Sequence, residues 1–106
     1  MTAESHSTRK GRKLVQLEGP VNLATVPGIR KRLLGCAKKR ETKEMRLDLS
    51  QVTDLDTAGV AMLVEVWRSL ARREGKLHLT GLSENARRLV QLAQLDLLFE
   101  MRGGAA

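Results

Sequence analysis

Aromatic residues are nearly missing from this chain. Trp67 and Phe99 are the whole aromatic complement of its 106 residues, so the core must be aliphatic and a platform on which bases could stack is poorly supplied, which argues against single-stranded nucleic-acid binding. Cysteine is reduced to Cys36. An internal disulfide is therefore impossible and a multi-cysteine structural zinc has no ligands, which fits a reducing compartment. No apolar run approaches the roughly 20 residues of a membrane span, and the opening MTAESHSTRKGRK has no signal-peptide core, so a cytoplasmic location is expected.

Catalytic equipment is just as thin. The histidines are His6 and His78, one in a polar arm and one in a strand pattern, where a solvent-facing position is expected for His78. There is no Ser-x-Gly elbow, paired-histidine motif or glycine-rich phosphate loop. Asp48, Asp54 and Asp56 resemble a carboxylate cluster for Mg²⁺ only at first sight, because alternation turns Asp48 away from Leu47 and Leu49 and short-loop acids usually serve as caps or turns. The chain reads as a non-enzyme with no cofactor, no metal and no small-molecule substrate.

What the chain has is positive charge and regular patterning. It carries 19 Lys and Arg against 12 Asp and Glu, a formal charge of +7, which is compatible with a solvated basic face, an anionic partner or membrane surface, or nucleic acid. The basic residues are scattered over Arg9 to Lys13, Arg30 to Arg32, Lys38 to Arg40 and Arg72 to Arg73. That distribution argues against a single reading helix, and no specific nucleic-acid contact is expected. A hydrophobic fraction of 42% with 29% charged residues belongs to a folded globular domain rather than a disordered chain.

The length suits one domain. Residues 1–11 are polar and small and predict a disordered arm, residues 12–101 the domain, and residues 102–106 a flexible tail. KLVQLEG alternates, with Val15 and Leu17 on one side and Leu14 and Gln16 on the other, and predicts a strand ended by Gly19-Pro20. NLATVPGIRKRLLGCAKKR takes up helical spacing with Ile29, Leu33, Leu34 and Ala37 on one stripe and Pro27 in its first turn. MRLDLSQV predicts a second, central strand with Met45, Leu47 and Leu49 on one face. Ala58 to Arg73 predicts a helix whose buried stripe is Val60, Leu63, Val64, Trp67, Leu70 and Ala71, stopped at Glu74-Gly75. KLHLTGL is a third strand, and ENARRLVQLAQLDLLF a closing helix with Ala86, Leu89, Val90 and Ala93 buried. The order β-α-β-α-β-α implies an α/β domain with a mixed or largely parallel sheet, whose functional loops lie beyond the strand carboxyl ends.

One of those loops is TDLDTAGVAML, residues 53 to 63, which is unusually polar for a junction between a buried strand and an apolar helix. Asp56 or Thr57 can cap the helix, and the unpartnered N–H groups beside Thr57 favour a phosphate or a partner's carboxylate. Gly59 costs about 1 kcal/mol against alanine in a helix, so it predicts close approach, either by a partner backbone or by the sheet below. Met62 and Val66 fall on the flank of the apolar stripe and predict a small exposed patch beside Thr57.

Asp48-Leu49-Ser50, Asp56-Thr57-Ala58-Gly59 and the strand ending in Thr80-Gly81, together with the entry GPVNLATVPGIRKRL, resemble the STAS domain family, over about residues 12 to 101. The resemblance implies the STAS fold and a binding module rather than an enzyme. It further implies that Asp56, Thr57, Ala58, Gly59, Met62 and Val66 contact a partner. Within the family, the Asp-Thr-x-Gly turn and the closing run look most like the MlaB type, the cytoplasmic regulatory subunit of a phospholipid-transporting ABC system, which implies the ABC ATPase as partner and membrane association only through that complex. The alternative the family implies is an anti-anti-sigma factor, in which Thr57 stands where an anti-sigma kinase phosphorylates a serine.

Overall fold

The computed structural model describes residues 3–9, 11–93, 95 and 100–102. Five strands, β1 (Ala3–Arg9), β2 (Arg12–Val21), β3 (Glu44–Leu55), β4 (Lys76–Thr80) and β5 (Glu100–Arg102), alternate with three helices, α1 (Val26–Ala37), α2 (Thr57–Ala71) and α3 (Glu84–Leu92). The sheet runs in sequence order, β1-β2-β3-β4-β5. β1 is antiparallel to β2, and every later pair is parallel. Sequential parallel strands joined by right-handed crossovers keep their helices on one face.

That face carries the core. Val15 and Leu17 of β2, Met45, Leu47 and Leu49 of β3, and Leu77 and Leu79 of β4 are all buried, and the register places Val15 beside Leu47 and Leu47 beside Leu79. Ile29, Leu33, Leu34 and Ala37 of α1 close over them. The alternation of β2 and β3 is therefore read correctly from sequence, with Leu14 left 38% exposed on the opposite face. β3 is central, and Pro27 sits in the first turn of α1.

The structure departs from the sequence pattern in several places, the first being that β2 runs through Gly19-Pro20, its expected end, to Val21 while staying paired with β3. Residues 3–9, expected as part of a disordered arm, form β1; its sequence is polar after Ala3 and so carries no hydrophobic alternation to reveal it. β5 is the second addition, a three-residue strand too short for any periodicity. The closing helix ends at Leu92, with Val90 buried, Ala86 and Leu89 half-buried and Ala93 exposed. The part of that expected helix at 94 and 96–99, and the tail expected beyond Arg102, lie outside the described residues.

β3 is much longer than its neighbour. Its pairing with β4 ends at Asp48 and Thr80, while its pairing with β2 continues to Val21 and Leu55. The two strands thus project beyond the rest of the sheet and carry the α2 N-terminus with them.

Candidate functional site

Asp56 follows β3 in an extended conformation and is the N-cap of α2. The Gly59 N–H donates to its Oδ1 at 3.0 Å, satisfying one of the unpaired donors of the first turn. Its second oxygen has a separate duty: the Leu23 N–H donates to Asp56 Oδ2 at 3.1 Å, and the Asp56 N–H donates to the Val21 carbonyl at 3.2 Å. One carboxylate therefore caps the helix and fastens the loop between β2 and α1 to it. That loop is also braced internally, since the Asn22 N–H donates to Thr25 Oγ1 and the Thr25 hydroxyl donates to the Pro20 carbonyl, both at 2.9 Å.

With capping assigned to Asp56, Thr57 is left exposed in the first turn and Ala58 half-buried beside it. Leu23 stands next to them across the Asp56 bridge, 76% exposed. Sequence reading missed Leu23, because the only signal for it is a backbone contact across 33 positions.

The other expected contact residues are internal. Gly59 is buried, and a Cβ there would lie 2.6 Å from Leu55 Cδ1 and 2.9 Å from both Val21 Cγ1 and the Val21 carbonyl oxygen. The backbone that approaches Gly59 closely is its own, at the end of β2. Met62 and Val66, expected as an exposed flank, are 1% and 0% exposed and belong to the core. The apolar arc of α2 is wider than a sheet-facing stripe because α1 packs alongside it, as the Arg30–Glu65 pair across the two helices marks. The arc is rotated accordingly, so Val64, Trp67 and Ala71 are only half-buried.

The remaining motif residues build the platform. Asp48 Oδ1 accepts from the Ser50 N–H at 2.9 Å, the Thr80 hydroxyl donates to the Leu47 carbonyl at 3.4 Å, and Gly81 turns with a φ of 74° where a Cβ would lie 2.7 Å from the Ser50 nitrogen. Only glycine suits both that conformation and that approach. Val52, Thr53, Asp54 and Leu55 of the projecting β3 end face Ser83, Asn85 and Ala86 of α3 across a cleft of about 110 Å³. Ser83 caps α3 by accepting from the Ala86 N–H at 3.1 Å.

His78 corrects a further expectation. It is 3% exposed rather than solvent-facing, and its Nε2 meets Glu44 Oε2, whose other oxygen accepts from Arg12 Nε at 2.8 Å. Burial by itself would raise the Glu44 carboxyl, but the hydrogen bond and charge of His78, with Arg12 and Arg46, hold it below the usual range. Glu65 is likewise lowered, chiefly by its hydrogen bond from Arg30. Among the described residues no group of three histidines, cysteines or carboxylates could hold a metal ion, so Asp48, Asp54 and Asp56 do not form the cluster their spacing resembles.

The site is thus an exposed threonine on a doubly anchored helix start, with an exposed leucine across the Asp56 bridge. The anti-sigma-B factor antagonist of Listeria monocytogenes is 30% identical to this chain over 84 residues, 79% of this chain and 73% of that protein. Many solved structures share the fold. The anti-sigma factor antagonist SpoIIAA, known from Bacillus, in its unphosphorylated form aligns with a TM-score of 0.78 at 16% identity, covering 97% of this chain and 89% of that one. An anti-sigma factor antagonist from Mycobacterium paratuberculosis aligns at 0.80 and 22% identity, covering 94% and 83%. The STAS domain description matches residues 5–103, and the chain belongs to the STAS domain family.

Proposed function

We propose that this chain is an anti-sigma factor antagonist, a non-enzymatic cytoplasmic switch that binds an anti-sigma factor through the α2 N-terminus and the adjoining loop, with Thr57 as the candidate phosphoacceptor. The observation that carries the reading is Thr57 itself, exposed in the first turn of α2 while Asp56 does the capping. Its hydroxyl is accessible to a kinase, and the helix dipole favours the phosphate that would result. The Listeria relative supports the same reading by its name, and SpoIIAA is known in both a phosphorylated and an unphosphorylated form. These relatives favour the antagonist over the regulatory subunit of a phospholipid-transporting ABC system that the closing run resembles.

The two readings separate in one binding experiment. The purified chain is passed with a candidate anti-sigma kinase, and in parallel with a candidate ABC ATPase, over a sizing column. Co-elution with the kinase is expected, retained by Thr57→Ala and lost by Thr57→Glu, because a carboxylate there adds bulk and repels Asp54 and Asp56 inside a desolvated contact. Incubation of the kinase complex with ATP should leave phosphate on Thr57 by mass spectrometry. Binding to the ATPase alone would reverse the assignment.

A further inference from the structure

At the opposite end of the molecule from Thr57, a cavity of about 400 Å³ opens between β2 and the second half of α1. That is within the range of roughly 300–1,000 Å³ typical of small-ligand sites. Val15 and Leu33, both buried, form an aliphatic floor, and Lys13, Arg32 and Lys39 stand around it with Gly35 and Cys36. No carboxylate is among its described lining residues. Lys13 and Lys39 both line the cavity beside Cys36: burial pushes the half-buried Cys36 thiol up, and these two lysines pull against that shift, with Glu41 the acid acting in the other direction.

The open volume is not demanded by packing. A Cβ on Gly35 would meet nothing within 4 Å, so a helix position that would gain stability from almost any side chain is left bare at the mouth. An apolar floor beside lysines is poorly served by water or by a simple ion alone, since each satisfies only half of the lining. A ligand with an anionic head and an alkyl chain satisfies both.

We propose that this cavity binds an amphiphilic anion, a carboxylate or phosphate held by Lys13 and Lys39 with its alkyl chain laid on Val15 and Leu33. Such a head-and-chain pair occurs both in a free fatty acid and in an anionic lipid within a bilayer. Four probes separate the cases: decanoate, decanol, inorganic phosphate, and vesicles of phosphatidylglycerol. Binding is read by calorimetry and by protection of Cys36 from alkylation, each compared with the same variant without ligand. Decanoate should bind and protect if the source is free amphiphile, and vesicles alone if it is the bilayer. The variant carrying both Lys13→Ser and Lys39→Ser should bind about tenfold more weakly or worse, the loss expected for charge-assisted hydrogen bonds. Gly35→Leu should abolish binding by filling the mouth while its thermal unfolding midpoint holds or rises, which keeps the test independent of folding. The proposal is overturned if neither decanoate nor vesicles bind, if decanol or phosphate binds as well as whichever of the two does, or if the double lysine variant or Gly35→Leu binds undiminished.

Discussion

Two glycines of α2 and α1 illustrate how much the neighbourhood of a single Cβ decides. At Gly59 the missing methyl would press on the Leu55 side chain and on the Val21 carbonyl, and a backbone carbonyl at the end of a paired strand cannot step aside. Gly59→Ala should therefore destabilise the fold by about 1–3 kcal/mol despite its better helix propensity. Gly28→Ala, with nothing within 4 Å of its Cβ, should be neutral or gain up to about 1 kcal/mol. Urea unfolding of both variants checks the pair, and equal stabilities would refute the packing account of Gly59. The sequence shows that position 59 needs a glycine but not which backbone demands it, because the demand comes from Val21, on a different strand. Asp56, in contrast, is legible as a cap from its place before an apolar helix, and only its second oxygen, on Leu23, is hidden.

Between elements, two polar clusters tie the layers together. Arg73, just past α2, donates through one guanidinium nitrogen to the carbonyls of Ala37, Lys39 (2.9 Å) and Thr42 (3.3 Å). These carbonyls belong to the end of α1 and the turn after it, which have no intrahelical donors. Arg73→Ala should cost about 1–3 kcal/mol by removing the donor to the part-buried Ala37 and Thr42 carbonyls, while the Lys39 carbonyl keeps its bond from the Thr42 N–H; the loss is measurable as a lowered urea midpoint with an unchanged slope. The second cluster joins β2, β3 and β4 through Arg12, Glu44 and His78. Because the Glu44 carboxyl is depressed in the folded state, its stabilisation is fully present above its ordinary unfolded value of 4.5 and is lost as pH falls through the lower, folded one. Glu44→Gln should thus be less stable than wild type near neutral pH, with the gap narrowing once pH falls below the unfolded value of 4.5; a gap constant down to about pH 3 would contradict the linkage. Element order, the α1 stripe and the β2 and β3 faces are legible because each follows from local spacing. Met62 and Val66 are misplaced by the same spacing, since periodicity gives the width of an apolar arc only for one packing surface and α2 has two.

Across the whole molecule, topology sorts charge that the sequence scatters. Gly11 before β2, the connection 38–43 before β3 and the turn 72–75 before β4 meet at the amino ends of the parallel strands: the Lys43 N–H donates to the Gly11 carbonyl at 2.7 Å and the Lys76 N–H to the Lys43 carbonyl at 3.0 Å. Exposed Lys38, Lys39, Arg40, Lys43 and Arg72 therefore gather at one pole, against Glu41 and Glu74, while Asp54, Asp56 and Glu84 sit at the other. The longest dimension is 33 Å, several times the screening length of about 8 Å at physiological salt. Lys38→Glu combined with Arg40→Glu should consequently change partner affinity at the Thr57 end by no more than about twofold at 0.15 M salt. Surface plasmon resonance on that variant checks it, and a larger loss would mean that the partner reaches both poles.

The bridge from Asp56 to Leu23 has a consequence for how such a domain can diverge. Asp56 needs both of its oxygens, one for each donor, so position 56 is nearly closed to substitution. Leu23 supplies only its backbone N–H to that bridge and projects its side chain into solvent. Any residue except proline offers the same amide, so position 23 can change freely while the helix start beside it stays anchored. Descendants of one such chain can then acquire different partners by altering a side chain that the fold never uses.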